Sequence, residues 1–169
     1  ADAASAISIE LGSRFDGKYD TLLAALGDLP FDPATYELLE PYSDDVWHFD
    51  YEAIEDEGAY KAIVENCGRI SSGELAIGVA RDHVDIDSGE AWVEFGEGYD
   101  LERVSLRVRD DWADAALFQR LNARLEKLGS NRRLAQHELG QNVLFICKSA
   151  DQIREINRVT GLRFHSHFR

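Results

Sequence analysis

Apolar and polar residues alternate along much of the middle of the chain, which is the pattern of half-buried β-strands. Short connections such as Asp87-Ser88-Gly89 separate the alternating stretches, and short connections favour antiparallel neighbours. We therefore predict an antiparallel meander with one buried face. Its strands are expected at residues 75–80, 84–86, 91–95 and 104–108, and a further strand at residues 5–11.

A hairpin is predicted near the C-terminal end of the chain. Residues 133–139 and 143–147 flank the turn residues Gly140-Gln141. The second stretch, Val-Leu-Phe-Ile-Cys, is apolar at every position, so both of its faces should be covered. We expect this strand to lie inside a sheet, between two neighbours.

The remaining apolar residues recur every three or four positions, which indicates amphipathic helices. Ser149 and Gln152 form a capping box that should start the last helix. Asp110 and Asp111 are suited to the start of the longest helix, because carboxylates stabilise a helix N-terminus. Helices are expected near residues 22–26, from Asp32, and over residues 52–66, 111–128 and 149–159.

Strands and helices follow one another without strict alternation, which predicts an α+β fold. We expect a mainly antiparallel sheet, made of the meander and the C-terminal hairpin, packed against several helices. The chain has 169 residues, of which 44% are hydrophobic, and this is enough for one core. Because no linker or repeat interrupts it, residues 1–169 are predicted to form a single domain.

Charge is distributed unevenly along the chain, whose net charge is −14. Residues 1–100 carry 24 Asp/Glu and five Lys/Arg, whereas residues 101–169 carry eight acids and 13 bases. Such separation costs self-repulsion and is not needed for a stable fold, so it favours a basic partner. Direct binding of nucleic acid is disfavoured, because the acidic protein repels polyanions. One basic group is expected to pair with the acidic half: Arg120, Arg124, Lys127, Arg132 and Arg133.

Acids are densest in a segment that also carries aromatic side chains and begins with a predicted loop over residues 42–50. Acidic rims and aromatic anchors are common at protein interfaces. We predict a partner-binding site here, with Trp47 or Tyr42 as the anchor. An alternative interpretation is a helix start, in which Asp50 is the N-cap and the acids that follow interact favourably with the positive end of the helix dipole. The predicted site comprises Tyr42, Asp44, Asp45, Trp47, Asp50, Glu52, Glu55, Asp56 and Glu57.

No residue pattern predicts catalysis, a metal or a cofactor. Asp85-x-Asp87-x-Gly89 matches only part of a calcium-binding loop, since the other acids and the glycine are misplaced. The histidines near the C-terminal end lack two further zinc ligands. Cys67 and Cys147 are interpreted as buried free thiols, which fit a reducing compartment. No stretch has the length of a membrane span or the h-region of a signal peptide, so we expect a cytoplasmic protein without membrane contact.

These observations favour a non-catalytic acidic protein that neutralises a basic protein partner. Its most concrete form is a bacterial immunity or antitoxin-like inhibitor of a nuclease toxin, bound through charge complementarity. One alternative is a small hydrolase or metal-dependent enzyme that uses the region from Asp82 to Glu90. A second alternative is an oligomeric structural or adaptor subunit, in which the basic third of one copy contacts the acidic part of another.

Overall fold

The computed structural model describes residues 31–32, 37–38 and 44–169. Within these ranges it has an α+β fold in which every strand pairing is antiparallel. The elements in chain order are β1 (Phe31–Asp32), β2 (Glu37–Leu38), β3 (Val46–Asp50), α1 (Ala59–Ile70), β4 (Val79–Asp85), β5 (Glu90–Glu97), β6 (Asp100–Arg107), α2 (Ala116–Lys127), β7 (Arg132–Glu138), β8 (Asn142–Ser149) and α3 (Ala150–Thr160).

The strands form two three-stranded sheets and one short pair. One sheet has the order β3-β8-β7, and the other is the meander β4-β5-β6. Strands β1 and β2 pair with each other over two residues each. The meander and the β7–β8 hairpin therefore confirm the antiparallel arrangement predicted from the alternating pattern.

The hydrophobic core joins both three-stranded sheets through the first two helices. Helices α1 and α2 each contact strands of both sheets. Strand β8 is covered on its two faces, with Phe145 and Cys147 in the main core and Leu144 and Ile146 in a second cluster that includes Ile156 of α3. The prediction that this strand lies inside a sheet is confirmed, and α3 covers the face that the main core does not.

Helix α3 begins as predicted. The Ser149 N–H donates to Gln152 Oε1 at 3.0 Å, and the Gln152 N–H donates to Ser149 Oγ at 3.3 Å. Gly161 ends the helix with a φ of 75°. This start is set by Ser149 and Gln152, which are three positions apart, so it depends little on the rest of the fold.

With 11 or 12 residues each, the described helices fall well short of the ~20 apolar residues that a membrane span requires.

The prediction of a loop over residues 42–50 is wrong for residues 46–50, which form strand β3. It pairs with β8 from Val46 opposite Ile146 to Asp50 opposite Asn142. Phe49 packs on the main core and Val46 on the second cluster. A strand whose side chains reach both cores is stabilised by a partner about a hundred residues away, which local composition does not reveal.

The helix predicted from residue 52 begins only at Ala59. The Ile54 N–H donates to the Asp111 carbonyl at 2.9 Å, and the Ala113 N–H donates to the Tyr51 carbonyl at 2.8 Å. These bonds hold residues 51–54 extended against residues 111–113. Asp50 is consequently the last residue of β3 and not a helix N-cap.

The same pairing shortens α2, which begins at Ala116 and not at residue 111. Asp114 takes the place predicted for Asp110 and Asp111 at the helix start. Its Oδ1 accepts from the Ala116 N–H at 2.9 Å, and its Oδ2 accepts from the Arg107 N–H at 3.0 Å. The carboxylate thus ties the start of α2 to the end of β6.

Two further predictions need correction, and three lie outside the described residues. A helix from Asp32 is wrong, since Asp32 pairs with Glu37 between β1 and β2. The strand expected from Leu75 begins at Val79, because Leu75 is fully buried in the turn that precedes it. The predicted strand at residues 5–11, the helix near residues 22–26 and the position of Tyr42 are not described by the structure.

Candidate functional site

Asp50 and Glu52 lie where β3 ends, next to the turn between β7 and β8. The side-chain amide of Gln141 donates to Asp50 Oδ1 at 3.0 Å and to Glu52 Oε2 at 2.9 Å. Glu52 is exposed and Asp50 is partly exposed. A neutral amide orients the two carboxylates without cancelling their charge, so both remain anionic groups at the surface.

Three consecutive acids, Glu55, Asp56 and Glu57, follow and are all exposed. Only Glu57 has an ion-pairing contact in the described structure, with its Oε1 2.8 Å from His83 Nδ1 on strand β4. The loop that carries these acids is anchored by Ile54, which is fully buried. The acids are therefore held on an ordered backbone.

The N-terminus of α1 does not use these acids. Its capping group comes from β4, where the Asp82 carboxylate accepts from the Gly58 N–H at 2.9 Å and from the Lys61 N–H at 3.0 Å. The first turn of α1 contains no acidic residue. The interpretation that the acids serve the helix start is therefore not supported by the hydrogen bonds observed there.

Asp110 and Asp111 join the same surface, which the sequence pattern did not reveal because it assigned them to helix capping. The hydrogen bond between Ile54 and the Asp111 carbonyl places them beside the loop at residues 55–57. Among the residues that the structure describes, no member of this group forms an ion pair with Lys or Arg. We call the group the acidic surface: Asp50, Glu52, Glu55, Asp56, Glu57, Asp110 and Asp111.

Two other acids of the predicted site are not part of this surface. The Asp45 side chain is buried, and its Oδ1 accepts from Lys148 Nζ at 2.6 Å. Asp44 is exposed, but its Oδ1 lies 3.7 Å from Arg69 Nη1. The charge of both residues is compensated within the chain, so they contribute less to an external field than the acids that follow.

Trp47, the predicted anchor, is only partly exposed. Its ring lies 5.6 Å from that of Phe145 in a stacked arrangement and 4.7 Å from that of Phe49. Much of the indole therefore packs on the core, and the part left at the surface is what a partner can contact.

Glu94, on the central strand of the meander, is neutralised by two neighbouring arginines. Glu94 accepts from Arg81 Nε at 2.7 Å and from Arg103 Nε at 3.2 Å, and the bond from Arg81 is the main cause that lowers the pKa of Glu94. The Arg103 guanidinium lies 4.0 Å from the centre of the Trp92 ring. The cross-strand ion pairs and cation–π contact predicted for this face are confirmed.

Three members of the basic group pair with the acidic half as expected. Arg124 and Lys127 contact Asp100 as well as Glu102, and Arg132 contacts Glu74. Arg133 pairs instead with Glu126, outside residues 1–100, and Arg120 forms no ion pair in the described structure. Across residues 44–169, five basic side chains form no ion pair with a carboxylate: Arg107, Arg109, Arg120, Arg163 and Arg169.

The region from Asp82 to Glu90 holds no grouped ligands. Asp82 caps α1, and Asp85 Oδ1 accepts from the Ser88 N–H at 3.1 Å, which lowers the pKa of Asp85. In the part of the chain that the structure describes, no three His, Cys, Asp or Glu side chains are arranged to hold a metal ion. These carboxylates serve the turn and the helix start.

Both cysteines are buried free thiols, as predicted. Burial raises the pKa of Cys147 to about 12 and that of Cys67 well above its ordinary value. The thiols are therefore protonated at neutral pH, which makes them poor nucleophiles.

Two adjoining cavities share Trp112, Ala113 and Arg169. The first, of about 450 Å³, is lined by polar side chains that include Tyr51, Gln136, His165 and His167, and we call it the histidine cavity. The second, of about 610 Å³, is lined among others by Arg107 and Arg109, and we call it the arginine cavity. Both volumes lie in the range of small-molecule sites.

No protein-family model matches this chain, and no curated protein or solved structure is significantly similar to it.

Proposed function

We propose that this protein is a non-catalytic binding protein whose acidic surface neutralises a basic protein partner. One observation carries the proposal. All seven carboxylates of the acidic surface lack a Lys or Arg partner among the described residues. Most Lys and Arg side chains of residues 44–169 pair instead with acids outside this surface. The most concrete form is a bacterial immunity or antitoxin-like inhibitor, whose carboxylates face the Lys and Arg side chains that a nuclease toxin uses for phosphate.

Like charges held close together repel one another, and a cationic partner relieves that repulsion. Complementary charge also accelerates association, from about 10⁵–10⁶ M⁻¹s⁻¹ for neutral surfaces to about 10⁸–10⁹ M⁻¹s⁻¹ at low salt. Fast capture is what an inhibitor of a toxic enzyme needs. The acidic surface therefore fits this role better than a role in holding the fold together.

The backbone under the acidic surface is held in place before any partner binds. Ile54 is fully buried, residues 51–54 are hydrogen-bonded to residues 111–113, and Asp82 fixes the loop end at Gly58. A surface held in this way loses little conformational entropy on binding, which favours affinity.

The test is a comparative capture from a lysate of the source organism with immobilised protein, followed by kinetics on the protein that elutes with salt. The variant Glu55→Gln/Asp56→Asn/Glu57→Gln removes three charges from the acidic surface. We expect the wild type to retain a basic protein, with an association rate that falls at least about tenfold between low and high salt. The triple variant should associate several-fold more slowly at low salt.

A matched control removes three exposed carboxylates away from the acidic surface, as Glu65→Gln/Glu97→Gln/Glu126→Gln. Its net charge equals that of the first variant, but Glu65 and Glu126 each pair with a basic side chain, so the comparison separates the loss of unpaired surface charge from the loss of net charge. An association rate that is independent of salt, or that falls equally in both variants, would contradict the proposal. Salt-labile self-association in sedimentation would favour an oligomeric subunit instead.

A further inference from the structure

Three of the five basic side chains without a carboxylate partner line one cavity. Arg107, Arg109 and Arg169 all border the arginine cavity, although they lie up to 62 positions apart in a chain that carries 32 acids. Arginines on so acidic a protein normally find a carboxylate, as Arg81 and Arg103 of the meander and both arginines of β7 do. Their convergence leaves positive charge concentrated around an open space.

The cavity has a defined frame. Arg107 ends β6, and its backbone N–H is bound to Asp114 at 3.0 Å. The Trp112 N–H donates to the Arg109 carbonyl at 3.1 Å, which closes the turn that carries Arg109.

Arg169 is positioned by the residue before it. The Phe168 side chain is 5% exposed, with its ring 5.4 Å from that of Phe118, and its carbonyl accepts from Gln119 Nε2 at 2.8 Å. Burial of one side chain and a bond to α2 therefore hold the neighbouring arginine at the cavity.

One carboxylate also lines the arginine cavity. Both oxygens of Asp114 accept from backbone amides, those of Ala116 and Arg107. Asp110 and Asp111 follow Arg109 in the chain but do not line the cavity. With three arginines and one aspartate among its lining residues, the arginine cavity has a positive formal charge.

Trp112 connects the arginine cavity to the histidine cavity. Its side chain is 43% exposed, and its ring is stacked on that of Tyr51 at 6.3 Å. The histidine cavity adds Gln136, which accepts from the Tyr51 hydroxyl at 2.8 Å, together with Glu138, His165 and His167. A positively charged subsite, an exposed aromatic ring and hydrogen-bonding groups thus lie side by side.

We propose that the two cavities together bind a small phosphorylated ligand with a planar ring, of the nucleoside monophosphate class. The phosphate lies among the three arginines, because guanidinium groups match phosphate oxygens in geometry and charge. The ring lies against the indole of Trp112 and its sugar faces the polar side chains of the histidine cavity. This proposal does not depend on the proposed neutralisation of a basic partner.

The test uses the full chain with adenosine monophosphate, adenosine and inorganic phosphate as probes, measured by titration calorimetry. We expect saturable binding of adenosine monophosphate and at least about tenfold weaker binding of each of the other two, since each lacks one half of the ligand. The indole N–H signal of Trp112, assigned by NMR with Trp112→Phe, should shift on addition of adenosine monophosphate.

Arg107→Gln/Arg109→Gln should weaken binding of adenosine monophosphate at least about tenfold, because a hydrogen bond to a charged group is lost at each position. Arg120→Gln/Arg163→Gln removes the same charge from two exposed arginines outside the cavity and should change affinity less than about twofold. Absence of saturable binding up to about 10 mM overturns the proposal, as does equal weakening in both double variants. Phosphate binding as tight as that of adenosine monophosphate overturns the role of the ring.

Discussion

Arg124 offers the sharpest test of how helix α2 is joined to the meander. Its side chain is 1% exposed, although it carries a full charge. Nε donates to the Leu75 carbonyl at 2.8 Å, and Nη1 lies 3.1 Å from Glu102 Oε1 and 3.2 Å from Asp100 Oδ2. One side chain of α2 thus binds both the turn before β4 and the first residues of β6.

The substitution Arg124→Met keeps an unbranched apolar stem and removes every polar contact. Removing one partner of a buried pair costs about 3–5 kcal/mol. Here the lower end applies, because the side chains of Asp100 and Glu102 are 46% and 30% exposed and regain water. We therefore expect the free energy of unfolding to fall by about 3 kcal/mol, and Tm to fall by about 6–12 °C for a chain of this size.

Urea denaturation followed by circular dichroism measures the change. Arg120→Met on the same helix is the control, since Arg120 is exposed and forms no ion pair in the described structure; its effect should stay within about 0.5 kcal/mol. Arg124→Lys keeps the charge but not the fork of donors, so an intermediate loss is expected. A loss below about 1 kcal/mol for Arg124→Met would refute the view that this side chain joins α2 to the meander.

Three other substitutions test local features. Asp82→Ala should lower the free energy of unfolding by about 1 kcal/mol in urea denaturation, because the cap of α1 is lost; an unchanged midpoint would contradict the capping role. Gly96→Ala should lower Tm far more than Gly98→Ala, since a Cβ at Gly96 would lie 2.0 Å from the Asp100 carbonyl oxygen whereas one at Gly98 meets open space. Equal effects would argue against that close approach. Burial lowers the pKa of His48 below 6.5, so the folded state binds fewer protons than the unfolded state and stability should fall as pH drops below about 6.5. His48→Gln should reduce that slope in a series of denaturation curves, and an unaltered slope would count against the burial effect.

Local patterns were enough to predict the elements whose partners are close in the chain. The meander and the β7–β8 hairpin follow from alternation and short turns, as the adjacent pairings of β5 with β6 and β7 with β8 show. The capping box of α3 follows from Ser149 and Gln152. In each case the residues that stabilise the element are no more than 17 positions apart, as for Glu90 opposite Arg107 and Arg132 opposite Ser149, so their spacing carries the information.

Long-range pairing changed the boundaries of other elements. Strand β3 exists because β8 pairs with it, and α1 starts at Ala59 because Asp82 of β4 binds the backbone at Gly58. Residues 51–54 and 111–113 satisfy one another's backbone groups, which removes both segments from the helices that their composition favours. Hydrogen bonds between distant segments outweighed helix propensity at these positions.

The candidate site divides in the same way. The density of acids at residues 55–57 can be seen in the sequence. The sequence does not show that the charge of Asp45 is compensated by Lys148, whereas Asp50 is bound only by a neutral amide. Which arginines find a carboxylate depends on where distant strands bring them, and so the gathering of Arg107 and Arg169 at one cavity emerges only after folding. Periodicity sets which side chains are buried, whereas charge compensation is a property of three-dimensional neighbours.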